Sequence, residues 1–173
     1  MFKPAINEDT SSGKTTEKDT NLKTDETKLT HKKDSEPESD PVSVEKWDDM
    51  ELNEDILRGI YAYGYENPSP IQKKAILPMI SGRDLIAQAQ SGTGKTATFA
   101  IGALSRIDIS TKTTQVICLA PTRELATQIT SVFNGLSQFV EKVSIMTLVG
   151  GVSVEQHSRE LRSTPPHIVV GTT

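Results

Sequence analysis

The sequence predicts an α/β fold: a mainly parallel sheet covered by helices, carrying a phosphate-binding loop and preceded by a disordered polar tail. Three observations lead there. From residue 84 onward, short apolar runs (85–87, 116–119, 143–149 and 168–170) alternate with amphipathic stretches (96–107, 123–139 and 154–162). Strand-sized runs separated by helix-sized ones imply right-handed βαβ crossovers, hence parallel strands with helices on both faces. The run Ala89-Gln90-Ser91-Gly92-Thr93-Gly94-Lys95-Thr96 falls at the first strand-to-helix turn. Residues 1–46 are rich in Thr, Lys, Asp, Glu and Ser and show no periodicity. Such a segment buries too little apolar surface to offset its ordering entropy.

Taken in order, folded character is expected to begin at Trp47. Asn53 suits an N-cap, Ile56, Leu57, Ile60 and Tyr61 recur at helical spacing, and Gly64 supplies a left-handed stop. Pro68 and Pro70 keep the chain extended before a second short helix around residues 72–76. The first strand, the glycine-rich loop and the helix from Thr96 follow. Ser153 and Gln156 have capping-box spacing at the start of the last helix. In such sheets ligands bind beyond the carboxyl ends of the strands, where the loop, Pro121-Thr122-Arg123 and Gly150-Gly151 all fall.

Composition narrows the class. The formal net charge is −4, of which residues 1–46, with eight Lys and eleven Asp/Glu, hold −3. The remainder is nearly neutral, so any nucleic-acid contact is local rather than driven by a broad positive field. Met1-Phe2-Lys3-Pro4 opens into polar sequence with no apolar signal region, and the longest apolar runs are strand-sized, which argues against a membrane partner. The single cysteine, Cys118, lies in an apolar run and reads as a reduced core residue, pointing to a cytoplasmic or nuclear setting. His157 and His167 read as a surface and a core-edge residue, with no metal-ligand spacing around them.

The glycine-rich loop is suited to nucleotide phosphates. Its backbone N–H groups and the positive end of the following helix attract anions. Gly92 and Gly94 let phosphate oxygens approach the backbone. Lys95 reaches the β- and γ-phosphates, and the Thr96 hydroxyl ligates the Mg²⁺ that bridges them. A second Gly-Lys-Thr at residues 13–15 has neither strand before it nor apolar helix after it, and is set aside. Gln72 offers an acceptor and a donor on one amide, matching the N6 amine and N7 of adenine and selecting ATP over GTP. Tyr65 provides a ring that stacks on the purine. The guanidinium of Arg123, at a helix start, suits a phosphate of single-stranded RNA, and Gly150-Gly151 and Thr172 offer further phosphate contacts without base identity.

In sequence, Gly64-Tyr65-Glu66-Asn67-Pro68-Ser69-Pro70-Ile71-Gln72 resembles the Q motif of DEAD-box RNA helicases, and residues 89–96 resemble their motif I, with alanine first. Pro121-Thr122-Arg123-Glu124-Leu125-Ala126 resembles motif Ia, Gly150-Gly151 the GG element, and Val170-Gly171-Thr172 the opening of motif Ib. The resemblance spans residues 47–172 and implies a RecA-like first helicase domain, ATP with Mg²⁺ as ligands, and RNA held by its backbone. It also implies that Trp47, matching the family's isolated aromatic, supports the adenine pocket from behind. Residues 57–64 resemble in particular the branch around translation initiation factor four-A, which implies a role in translation initiation and a protein scaffold of the initiation-factor type. No Asp-Glu-Ala-Asp occurs, and no second RecA-like domain follows. The expectation is therefore a partial helicase chain, inactive by itself, with a gap or unpaired edge beside the phosphate-loop strand; the alternative is an ATP- or RNA-binding product that competes with a longer protein. The absence of any Asn-Lys-x-Asp run argues against a GTPase.

Overall fold

The computed structural model describes residues 44–151 and 153–173, together with the backbone of residues 28–30. The rest of the polar tail, including the second Gly-Lys-Thr, lies outside the described residues. Among the described residues, Val44, three residues before Trp47, already lies in the core. A single 3-10 turn at Asp48–Met50 leads to α1 (Glu54–Ala62). The Asn53 side chain accepts the Asp55 N–H at 2.9 Å, and Glu54 and Asp55 complement the positive helix end. Ile56 and Ile60 face the core, and Gly64, at φ +93°, ends the helix as expected.

The second helix, α2 (Pro70–Ile80), is longer than the short helix expected around residues 72–76 and runs through Pro78. Pro78 falls in the last turn, where its missing N–H costs one bond near an end that frays anyway. Burial of Ile71, Ala75 and Ile76 holds the helix down. It is followed by β2 (Ile86–Gln88), α3 (Lys95–Leu104), β3 (Val116–Ala120), α4 (Arg123–Leu136), β4 (Ile145–Leu148), α5 (Val154–Ser163) and β5 (Ile168–Thr172). A short strand, β1 (Lys28–Thr30), precedes them all.

Strands β3, β5 and β4 form a parallel sheet in that order, with Val116 opposite Ile168 and Ile145 opposite the same residue. The α/β class and parallel sheet are as the sequence predicts. Two features differ. The phosphate-loop strand β2 shares no ladder with this sheet, as the expected gap implies, but its edge is not unpaired: it pairs antiparallel with β1, Leu29 opposite Ala87. A strand edge with free N–H and C=O groups pairs with any extended backbone that reaches it, whatever its side chains. Nor, among the described residues, is the sheet covered on both faces. Alternation along β3 turns Val116, Cys118 and Ala120 toward the core and leaves Ile117 and Leu119 exposed at 70% and 65%. Helix α4 packs on β3, β4 and β5, whereas α5 buries none of its residues.

The core gathers Trp47, Ile60, Ile76, Ile101, Phe133, Leu136, Ile168 and Val170 between α1, α2, α3, α4 and the sheet. The capping box expected at Ser153 does not form, because Gln156 donates instead to the Glu160 carboxylate at 3.1 Å. His167 is buried, and its Nδ1 accepts the Ser144 N–H at 3.1 Å at the head of the β4–β5 pair. The Cys118 thiol is free and half-buried, and burial pushes its pKa up, which keeps it an unreactive thiol. No helix among the described residues is long and apolar enough to cross a membrane.

Candidate nucleotide and RNA-backbone sites

The phosphate loop turns on two glycines. Gly92 lies at φ +80° with open space where a Cβ would stand. Gly94, at φ +90°, caps α3, and a Cβ there would lie 2.8 Å from Gln72 Nε2. Together they leave a cradle of backbone at a helix N-terminus, the arrangement a phosphate needs. Lys95 lies folded into this cradle, donating to the carbonyls of Ala89 and Gln90 at 2.5 Å each. The Thr93 hydroxyl donates to the Gln90 carbonyl at 2.8 Å, so Gln90 and its neighbours form a closed ring. A triphosphate would draw Lys95 off these carbonyls, exchanging two charge-assisted bonds for stronger ones to anionic oxygens. Thr96, half-buried in the first turn of α3, is the ligand the loop offers a cation. Among the described residues no group of three or more His, Cys, Asp or Glu could hold a metal ion. A cation carried in on phosphate oxygens would meet the Thr96 hydroxyl in this loop.

The segment before α2 is tied to this loop. The Ser69 hydroxyl donates to the Thr93 carbonyl at 2.8 Å, and Gln72 Nε2 points to the Gly94 carbonyl at 3.5 Å. Gln72 Oε1 accepts the Ser69 N–H at 2.7 Å, the side-chain half of a capping box. Gln72 is 2% exposed, and both ends of its amide face protein groups in this state. Reading adenine with both ends requires those two contacts to be exchanged. Sequence reasoning took Gln72 for its base-reading chemistry and passed over Ser69, although Ser69-Pro70-Ile71-Gln72 is itself an S-x-x-Q capping pattern.

Trp47 lies fully buried behind the same region and donates from Nε1 to the Tyr65 carbonyl at 3.1 Å. Tyr65 is half-buried, its ring centroid 5.2 Å from that of Tyr63 with the planes tilted by 30°. Burial, and then the neighbouring Tyr63, raise the Tyr65 hydroxyl above the ordinary tyrosine value, so the ring stays neutral at physiological pH. Tyr63 entered the sequence reading only as one of residues 57–64, with no role at the base site.

A second cluster forms at the carboxyl ends of β3, β4 and β5. Ala120 pairs with Thr172 in register, which sets Pro121 and Thr122 beside Thr172. The Thr122 hydroxyl caps α4 by accepting the Leu125 N–H at 3.2 Å. Arg123 opens α4 at an exposed position, and its guanidinium reaches over Gly151, where a Cβ would lie 3.3 Å from it. Gly150 and Gly151 follow β4 after the single residue Val149, and Gly151 takes φ +100°. One exposed guanidinium, bare glycine backbone, a helix N-terminus and the Thr172 hydroxyl therefore share one edge, an arrangement able to bind successive phosphates.

The sequence model of the DEAD/DEAH box helicase family matches residues 69–173. Among solved structures, the chain is similar to a Dbp5 variant of S. cerevisiae bound to Gle1 and IP6, at 34% identity and a TM-score of 0.69, covering 76% of this chain and 33% of that one. It is also similar to S. cerevisiae Dbp5 bound to RNA and ADP BeF3, at 35% identity and a TM-score of 0.64 over 75% of this chain and 32% of that one. A DEAD box protein of the hyperthermophile Methanococcus jannaschii matches at 30% identity and a TM-score of 0.67 over 75% of this chain and 35% of that one. The chain spans about one third of the length of these relatives. Since the matched region covers more than half of the sequence, the chain belongs to the DEAD/DEAH box helicase family.

Proposed function

We propose that this chain carries the ATP-binding loop and part of the RNA-binding edge of an ATP-dependent RNA helicase. The observation that carries the reading is the latch between Ser69, Gln72 and the backbone of Thr93 and Gly94. The Gln72 amide lies against the phosphate loop, which supports reading base and triphosphate as one ligand. Lys95 neutralises phosphate charge, Thr96 ligates Mg²⁺, Tyr65 stacks on the base with Trp47 behind it, and Gly92 and Gly94 admit the phosphates. Pro121, Thr122, Arg123, Gly150, Gly151 and Thr172 bind single-stranded RNA through its backbone. A Dbp5 relative solved with RNA and ADP BeF3 supports the pairing of these two ligands.

Within this reading, residues 57–64 favour the translation-initiation branch, with a cytoplasmic setting and a scaffold partner. The chain by itself contains no Asp-Glu-Ala-Asp, and hydrolysis in such sites depends on a carboxylate that fixes Mg²⁺ and on an oriented water. Residues 1–173 therefore bind without turning over. Binding of ATP, GTP and single-stranded RNA, alongside phosphate release, tests the proposal. ATP is expected to bind in preference to GTP, Lys95→Ala to lose ATP, and Arg123→Ala to weaken RNA and lower its salt dependence by about one counterion. A Lys95→Ala chain that keeps parental ATP affinity overturns the reading of the loop, and phosphate release above background overturns that of the isolated chain.

A further inference from the structure

Helices α1 and α4 meet at a contact too close for any side chain. A Cβ on Gly59 of α1 would stand 1.9 Å from the Leu136 carbonyl oxygen, and one on Gly135 of α4 would stand 2.2 Å from Tyr63 Cε2. The guanidinium of Arg58 sits 4.5 Å from the centre of the Phe139 ring, closing the same interface. The Tyr63 ring therefore rests on the backbone of α4, with Tyr65 beside it at 5.2 Å. Tyr65 follows the left-handed Gly64 and is held at its carbonyl by Trp47, but its ring is restrained by Tyr63. A ring already fixed in its binding orientation loses less freedom when a ligand stacks on it.

We infer that Gly135 is a positioning residue for the nucleotide base: it seats the Tyr63 ring, and Tyr63 holds the ring of Tyr65 in the plane that receives the purine. The inference rests on the reading of Tyr65 as the base-stacking side chain. Gly135 lies near the far end of α4, nine residues beyond Ala126, outside every motif, and the contact makes it part of the base site without touching the base.

Dissociation constants of ATP and of inorganic tripolyphosphate, measured on the full 173-residue chain, separate stacking from phosphate binding. Gly135→Ala is expected to weaken ATP by roughly five- to 150-fold, the worth of one base stack, and to leave tripolyphosphate unchanged. Tyr63→Ala does the same, Gly135→Ala adds nothing in the Tyr63→Ala background, and the ring-retaining Tyr63→Phe restores ATP affinity. Should Gly135→Ala fail to fold, the Tyr63→Ala and Tyr63→Phe pair carries the test. Equal losses for ATP and tripolyphosphate indicate a general packing role and overturn the inference. If Tyr65→Ala weakens ATP but Tyr63→Ala does not, the inference fails and the base-stacking reading stands. If Tyr65→Ala has no effect, or the parent chain binds no ATP, the base-stacking reading falls and takes the inference with it.

Discussion

Single residues decide whether the loop can close and open. Gly94 combines a positive φ with a neighbour, Gln72 Nε2, that a Cβ would meet at 2.8 Å. Gly94→Ala is expected to cost about 1–3 kcal/mol, the scale of a strained backbone position. It should also push Gln72 off the loop, so nucleotide binding falls with stability; urea unfolding and ATP titration of the same sample check both. Ser69→Ala is milder. It removes the partly buried hydroxyl bond to Thr93 and the hydroxyl's half of the α2 capping box, each worth about 1 kcal/mol net. The same change frees the loop, so ATP affinity should drop while α2 persists by circular dichroism. The loop's place at a strand-to-helix turn was legible in the sequence, because its glycines mark the turn and the apolar run after Lys95 marks the helix. The position of Lys95 on its own carbonyls was not, because spacing says nothing about a side chain's rotamer in the absence of its ligand.

At the scale of elements, legibility followed periodicity. The Asn53 cap, the apolar faces of α1 and α4, and strands β3 and β5 each carry a pattern of their own, and each is found where that pattern puts it. Helix α2 outran its expectation because Pro78 reads as a breaker, while burial of Ala75 and Ile76 decides the outcome. Strand β1 carried no signal at all, for a ladder made of backbone groups leaves no mark in polar side chains. The bare face of β3 makes a prediction in the opposite direction. Leu119→Glu, at a 65% exposed position, should change stability by no more than about 0.5 kcal/mol. Val170→Ala, on the neighbouring strand and fully buried, should cost on the order of 1–3 kcal/mol. Paired denaturation curves compare them, and a Leu119→Glu chain as damaged as Val170→Ala would mean that the face is covered.

Over the whole molecule, the two clusters hang from different frameworks. The RNA-backbone edge grows out of three hydrogen-bonded parallel strands, whereas the phosphate loop springs from β2, whose only ladder among the described residues is with β1. Two ladders without a shared strand break separately, and each opens with its own free energy. Amide hydrogen exchange should therefore divide the chain into a slow class around Ile168, Val169 and Val170 and a fast class around Ile86, Ala87 and Gln88. Adding ATP should slow the second class and leave the first unchanged. Uniform protection across both would show one cooperative unit instead. With two classes, nucleotide binding becomes partly a folding event: the ligand completes a layer that the protein alone holds loosely, and its apparent affinity rises or falls with anything that steadies the short ladder beneath the loop.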